Sequence, residues 1–528
     1  MSAQIPSGPF FVPPYVPEHG GVDFLGLRQA NLEMMATCLP GINNVTVHVR
    51  PFSLLSWIHW KFHELAAAAG QKQIFGERFS EFRERVEVLF TWGHVRNGIG
   101  GIPGTTAKPP MTDDGAAVPL TFAAWKRSYE NTSLMAAVQY GPASKTVGGL
   151  GFLDPVGGGF HRACGEGVRL AEAIDETLAS CASTHLLGLE PGKGTEEDAT
   201  NLFPGWSVLT PTMAEQASFR KAFFDEGAVG EESEMGWRSA TLALAFAVLT
   251  WAERPLSLDE IRRAMVYARL PDHAPLVVPE RLHTARLRWT ALQVRQTQRL
   301  AHECLLVWLE RRIARGDRDS EMMVRVAMLA IEEILGEDAA NFTVGDLAER
   351  LVPEMDSFEA LCERAIVEED ACVFAAVSRI DDALRSESED DTLVAHALRA
   401  LLLCARAAEL LAVEPVAERA MGTGHVERVS LKHWRGTVAR CRSRPAREFL
   451  TLLFESMVLS QHFAVAANRY DGGTQRLRVS IEEEGLTVLA PKPWRVQLTS
   501  DRLASAMALA ADCGLIKVGE EDGTFEAA

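Results

Sequence analysis

Residues 286–316 read RLRWTALQVRQTQRLAHECLLVWLERRIARG. Leucines and tryptophans recur at helical spacing, and the arginines between Arg281 and Arg318 recur among them. The pattern predicts an amphipathic helix with its arginine face in water. Neighbouring stretches carry the same period: TLALAFAVLTWAER, LDEIRRAMVYARL and SEMMVRVAMLAIEEILG. Residues 200–424 are therefore expected to be almost entirely helical. Ser257, followed three residues on by Glu260, opens one helix with a capping box. Ser320 and the segment TVGDLAERL read similarly. No fixed repeat of about 20–50 residues links these helices, so no solenoid is expected.

The flanks differ in texture. The first residues, MSAQIPSGPFFVPPYVP, have neither a basic lead nor an apolar core, so they predict an extended arm and not a secretory signal. A helix follows, then a break at Pro40-Gly41, then a second helix from about Pro51 to Ala69, stopped by Gly70. A third, charged helix lies in GERFSEFRERVEVLFTWGHV. In residues 132–178 a helix leads into GLGFLDP, a glycine turn, GGGFHRACGEG and a further helix. That order suggests a winged-helix-like unit near 133–185. LTSDRLASAMALAADCGLIKVGEEDGTFEAA, residues 498–528, repeats part of it and suggests a second. Between them, QRLRVSIEEEGLTVLAP alternates like paired strands.

The expected fold is a mostly α, multi-domain helical protein with winged-helix-like units and a small α+β C-terminal part. Four segments are expected: a helical domain with an arm over 1–130, a winged-helix-like unit over 131–200, a helical domain over 201–424, and a basic helix with an α+β winged-helix-like domain over 425–528. A length of 528 residues, 47% apolar, suits several ordinary globular cores. The longest apolar run, 240–252, is shorter than the roughly 20 residues a bilayer needs. No membrane role is expected. Nine cysteines without any C-x-x-C spacing suit reduced core thiols in a cytoplasm.

The net charge of −18 is uneven. Residues 321–424 hold 8 basic and 23 acidic groups, whereas residues 425–528 are nearly balanced at 14 and 13. The chain as a whole should be repelled by bare nucleic acid, while local basic faces remain available. The acidic run 385–391, RSESEDD, reads as a solvated loop between helices.

Candidate sites are few. In SWIHWKFHE, residues 56–64, His59 and His63 stand at metal-ligand spacing on one helix face. A zincin needs glutamate directly after the first histidine, and Trp60 stands there. A third ligand could come only from elsewhere, with His48 and His94 as candidates. The competing reading is a buried aromatic helix with internally bonded histidines. A phospholipase-D-like start at His59 and Lys61 fails at Ala66. The phosphate-loop look of GPASKTVGG fails at Ser144 and Gln139, and GGLGF fails as a dinucleotide fingerprint at Asp154. No catalytic motif is complete and no cofactor is expected. The densest basic segment holds Lys432, His433, Trp434, Arg435, Arg440, Arg442, Arg444 and Arg447. It could grip phosphates and stack a base. Its rival is pairing with the acidic segment that precedes it.

VDFLGLRQAN…LPGINNVTVHVRPFSLLSWIHWKFHE resembles the opening of large, uncharacterised helical proteins from bacterial anti-phage defence islands. GLGFLDPVGGGFHRACGEGVRLAEA is similar to the wing and helix that often follow there. The resemblance covers about 100 residues and brings no functional residue with it. It implies a non-enzymatic scaffold or sensor subunit of a multi-protein bacterial system, cytoplasmic, with protein partners from that system. Two other readings stand beside it. One is a DNA- or RNA-binding protein using residues 432–447. The other is an enzyme whose site is assembled from distant residues, its most concrete form being a metal at His59 and His63.

Overall fold

The computed structural model describes residues 23–70, 76–108, 110, 116–157, 159–190, 192–386, 391–425, 427–470, 476–489 and 494–528. The expected arm lies outside the described residues, as do positions 387–390 of the acidic loop. The described chain is mostly helical with four small sheets, and its C-terminal part is a small α+β element. It divides into two compact units. Among the described residues, the flanking unit comprises those of 34–290 and 500–528, and the inserted unit those of 23–33 and 291–499. Neither is continuous in sequence, so the expected boundaries at 130, 200 and 424 all fall inside one unit or the other.

In the flanking unit, the helix Arg50–Ala68 starts at Val49 with Pro51 in its first turn, where a missing N–H costs nothing. It ends before Gly70, whose φ of +68° suits glycine. Phe52, Leu54, Leu55, Trp57, Ile58 and Phe62 are buried along it. Each contributes on the order of 2 kcal/mol of apolar burial. It packs against the helix Glu166–Ala179. The predicted glycine turn is a hairpin: Leu153–Gly157 pairs antiparallel with Phe160–Ala163, and its second strand also lies against Arg50–Ala68.

The C-terminal hairpin has a partner that the sequence does not announce. Leu503–Asp512 leads into Ile516–Val518 and Thr524–Ala527, a helix followed by a hairpin. Thr524–Ala527 then pairs on its other side with Leu256–Ser257. The helix Glu234–Ala252 precedes that short strand, and Leu258–Tyr267 follows it. Ser257 and Glu260 form the predicted capping box, with reciprocal side-chain to N–H bonds. The C-terminal element is therefore not self-contained within 425–528.

In the inserted unit, helices surround the long helix Glu280–Ala314, of which residues 291–314 belong to this unit. The expected water-facing arginine stripe is corrected here, because every residue from Trp289 to Glu310 is buried. Arg295 donates to the carbonyls of Leu27, Arg428 and Val429 and to Asn31 Oδ1. Arg299 pairs bidentately with Glu303 at 2.8 and 2.9 Å and also reaches Thr499. Loop carbonyls that cannot reach water take the donors that periodicity assigns to solvent. Burial pushes the Arg295 guanidinium down to about 10, assisted by neighbouring Arg299.

Two helix starts refine the sequence reading. Asp319 caps the helix Ser320–Leu335 by accepting from the Met322 N–H, so Ser320 is its first residue and not its cap. Thr343 and Asp346 form the capping box expected in TVGDLAERL. The alternating stretch is a hairpin, Val479–Glu482 with Gly485–Val488. Gly485 sits at φ +107°, and a Cβ there would meet the Arg318 carbonyl oxygen at 2.5 Å.

A continuous helical run, Ala446–Asn468, is long and apolar enough to cross a membrane by length and composition. Its middle, Leu453–Leu459, is π-helical. Phe449, Leu450, Leu453, Phe454 and Val458 are buried, and His462 is held at both ring nitrogens, the features of a core helix.

Candidate functional site

The histidine pair comes first. His59 is 2% exposed and lies between Phe79, at 4.8 Å ring to ring, and His161, at 5.5 Å. His63 Nε2 is 3.2 Å from the His161 carbonyl oxygen. The third imidazole is thus His161, supplied by the hairpin, and not His48 or His94. Burial drives the His59 imidazole down to about 3, and the neighbouring charges of His161 and Arg83 push the same way. Among the described residues no group of three or more His, Cys, Asp or Glu could hold a metal ion. The metal reading of His59 and His63 is corrected to a buried aromatic cluster.

His94 and His462 show what buried histidines do in this fold. His94 Nε2 accepts the Val208 N–H at 3.0 Å, so Nδ1 carries the proton and donates to the Phe90 carbonyl at 2.7 Å. His462 repeats the arrangement, accepting from the Arg478 N–H and donating to the Phe24 carbonyl. Each ring fills its hydrogen bonds as a neutral group, and burial lowers both pKa values, that of His94 to about 4. All nine cysteines are free thiols, seven of them buried. Burial raises Cys38 and Cys513 to about 12, which leaves them unreactive as nucleophiles.

The basic segment folds as the helix Leu431–Cys441 and the start of the next. Trp434 is fully buried, and its indole N–H donates to the Leu401 carbonyl at 2.7 Å. It cannot stack a base, which corrects its assignment as a nucleic-acid contact. Lys432 and Arg435 both pair with Glu418, and Arg442 pairs with Glu349. Burial works against ionisation of Glu418, yet the bonds from Arg435 and Lys432 outweigh it and hold its pKa below the ordinary range. Both glutamates belong to the acidic segment, so the internal pairing weighed from sequence is present. Arg440, Arg444 and Arg447 remain exposed. A cavity of about 340 Å³ beside this helix has balanced charge: Arg406, Arg435 and Arg442 face Glu349, Glu354 and Glu409.

A larger cleft, about 530 Å³, lies within the inserted unit. The last turns of Glu280–Ala314 supply Glu310 and Arg311, and the end of Val373–Arg385 supplies Asp381 and Arg385. The Val479–Glu482 hairpin region supplies Arg478, and the segment after it supplies Trp494 and Arg495. Arg478 donates to both oxygens of Glu310, at 2.5 and 2.8 Å, and lies over the rings of Phe24 and Trp494. Arg311 reaches the Leu384 carbonyl at 3.2 Å. Burial raises the Asp381 carboxyl, while Arg385 and Arg495 pull it down. Sequence reading does not find this site, because its residues come from four distant stretches. Its one visible trace is the Trp494-Arg495 pair just beyond the alternating strands.

Compared with known protein families, with characterised proteins and with solved structures, the chain matches none.

Proposed function

We propose that this chain is a non-enzymatic scaffold or sensor subunit of a multi-protein bacterial system, in the anti-phage setting its N-terminal residues resemble, acting in the cytoplasm through protein partners. One observation carries the reading. The helix, short strand and helix of residues 234–267, followed by the helix and two strands of residues 503–527, have the element order of a winged helix. The sheet order, Leu256–Ser257 beside Thr524–Ala527 beside Ile516–Val518, fits it too. In DNA-binding members of that architecture the recognition helix lies in the major groove. Here the helix in that position, Leu503–Asp512, has no basic residue. Leu503, Ala506, Met507, Leu509 and Ala510 are buried, and Asp512 accepts the Val49 N–H at 2.6 Å. The loop in the position of the wing carries exposed Glu520, Glu521 and Asp522. A buried helix cannot enter a groove, and an acidic wing repels phosphate and suits association with a basic protein surface. His94 and His462, bonded at both ring nitrogens, and the seven buried thiols favour a scaffold in the same way.

Co-purification from a native-like bacterial host, with mass spectrometry and nucleic-acid extraction of the eluate, tests this. Stoichiometric proteins lost on Glu520→Lys with Asp522→Lys are expected. A partner-free chain with a catalytic activity of its own would overturn the proposal. A second reading, nucleic-acid binding, rests on the exposed Arg440, Arg444 and Arg447 alone. It requires salt-sensitive DNA or RNA binding that the triple change to glutamate abolishes.

A further inference from the structure

We infer that the 530 Å³ cleft of the inserted unit is a binding site for a small organic anion carrying a planar ring. The inference does not depend on the chain having a protein partner.

Size is the first ground. Small-molecule sites enclose about 300–1,000 Å³ and combine apolar walls with a few placed polar groups. Here Val307, Leu384, Val488 and Val496 supply apolar wall, and Trp494 supplies an aromatic one. Charge is the second. The lining holds four arginines and two carboxylates. Glu310 is consumed by Arg478 in a bidentate pair. That leaves Arg311, Arg385 and Arg495 against Asp381. A cationic excess is unexpected here, because the protein carries −18 overall and the adjoining segment 321–424 holds most of that excess, with 23 acidic groups against 8 basic ones. Three guanidinium groups around one opening repel each other and are offset by a bound anion.

Donor capacity is the third ground. The exposed Arg385 and Asp382 are 3.6 Å apart, a weak pairing in water. Arg311 spends one N–H on the Leu384 carbonyl and keeps the rest of its fork. The indole N–H of Trp494 is buried without a hydrogen-bond partner. Donors outnumber acceptors, so the fitting ligand brings acceptors, and the aromatic wall selects one with a ring. Phosphorylated and carboxylated ring compounds share this chemistry.

Calorimetry on the full chain at low salt, with AMP, benzoate, adenosine and inorganic phosphate as probes, tests the assignment. AMP or benzoate should bind at least about tenfold more tightly than adenosine or phosphate, because ring and charge are both used. AMP alone binding identifies the phosphorylated class, and benzoate alone the carboxylated one. Arg495→Gln and Arg385→Gln are exposed changes that leave the core intact, and each should weaken binding by about tenfold. Absence of binding by both ring-bearing anions at millimolar concentration would overturn the inference. Binding left unchanged by both variants would overturn it as well, since the ligand would then sit elsewhere.

Discussion

Each unit contains an arginine–glutamate pair that is nearly or wholly out of water, and the two pairs differ in what surrounds them. In the flanking unit, Arg50 and Glu215 lie 2.8 Å apart with side chains 1% and 0% exposed. The same guanidinium also donates to the carbonyls of Gly205 and Thr210. In the inserted unit, Arg478 and Glu310 are 8% and 9% exposed and form part of a cleft wall. The first pair is enclosed and ties a helix start to two neighbouring chain segments. The second stands where core meets opening, so its charge is felt by whatever enters. The two pairs are similarly buried and differ in access to an opening.

The largest expected effect is one that both units share. His59, His94 and His302 are held neutral, at about 3, 4 and 4, mainly by burial. A histidine depressed in the fold binds its proton first in the unfolded chain. Its contribution is therefore present above about pH 6.5 and lost as pH falls toward the folded value. Unfolding free energy, followed by denaturant melts, should drop by several kcal/mol in total between about pH 6.5 and pH 4. A flat profile would mean that these rings are not neutral staples.

The next effect separates the units. Arg50→Met strands Glu215 in the core and should cost about 3–5 kcal/mol. A cost under about 1 kcal/mol would show that water reaches the pair. Glu310→Gln should cost less, about 1–3 kcal/mol, because its surroundings are partly open. It should also tighten binding of AMP or benzoate by removing negative charge from the cleft. Weaker binding in that variant would erase the contrast drawn between the pairs.

The smallest effect sharpens the description of the enclosed pair. Burial raises the Asp512 carboxyl to about 6, helped by Glu215 and opposed by the Val49 N–H and Arg50. A raised carboxyl binds its proton more tightly in the fold. Its stabilising contribution is present below about pH 4 and lost as pH rises through about 6. Asp512→Asn should therefore stabilise the protein at pH 8 by about 1 kcal/mol and add nothing at pH 4. Equal effects at both pH values would place Asp512 in water.

Helical class was legible because 3.6-residue spacing is a local property that burial does not disturb. The capping boxes at Ser257 and Thr343 were legible for the same reason. Solvation of a polar face was not. Arg295 and Arg299 have the spacing of a wet stripe, and nothing local distinguishes water from a loop carbonyl as their acceptor. Trp434 among arginines looks like a stacking platform until tertiary packing supplies the Leu401 carbonyl. Leu256–Ser257 is too short for any period to register. The cleft was illegible because Arg311, Asp381 and Arg495 meet only after folding.

The strand order described above also dictates a timetable. Thr524–Ala527 is the middle strand of its sheet, yet it leaves the ribosome after both of its neighbours. Leu256–Ser257 must wait unpaired while the whole 291–499 stretch is synthesised. The sheet therefore closes late, and only around a chain already made through residue 527. Chains stopped before residue 524 lack the strand that joins the other two.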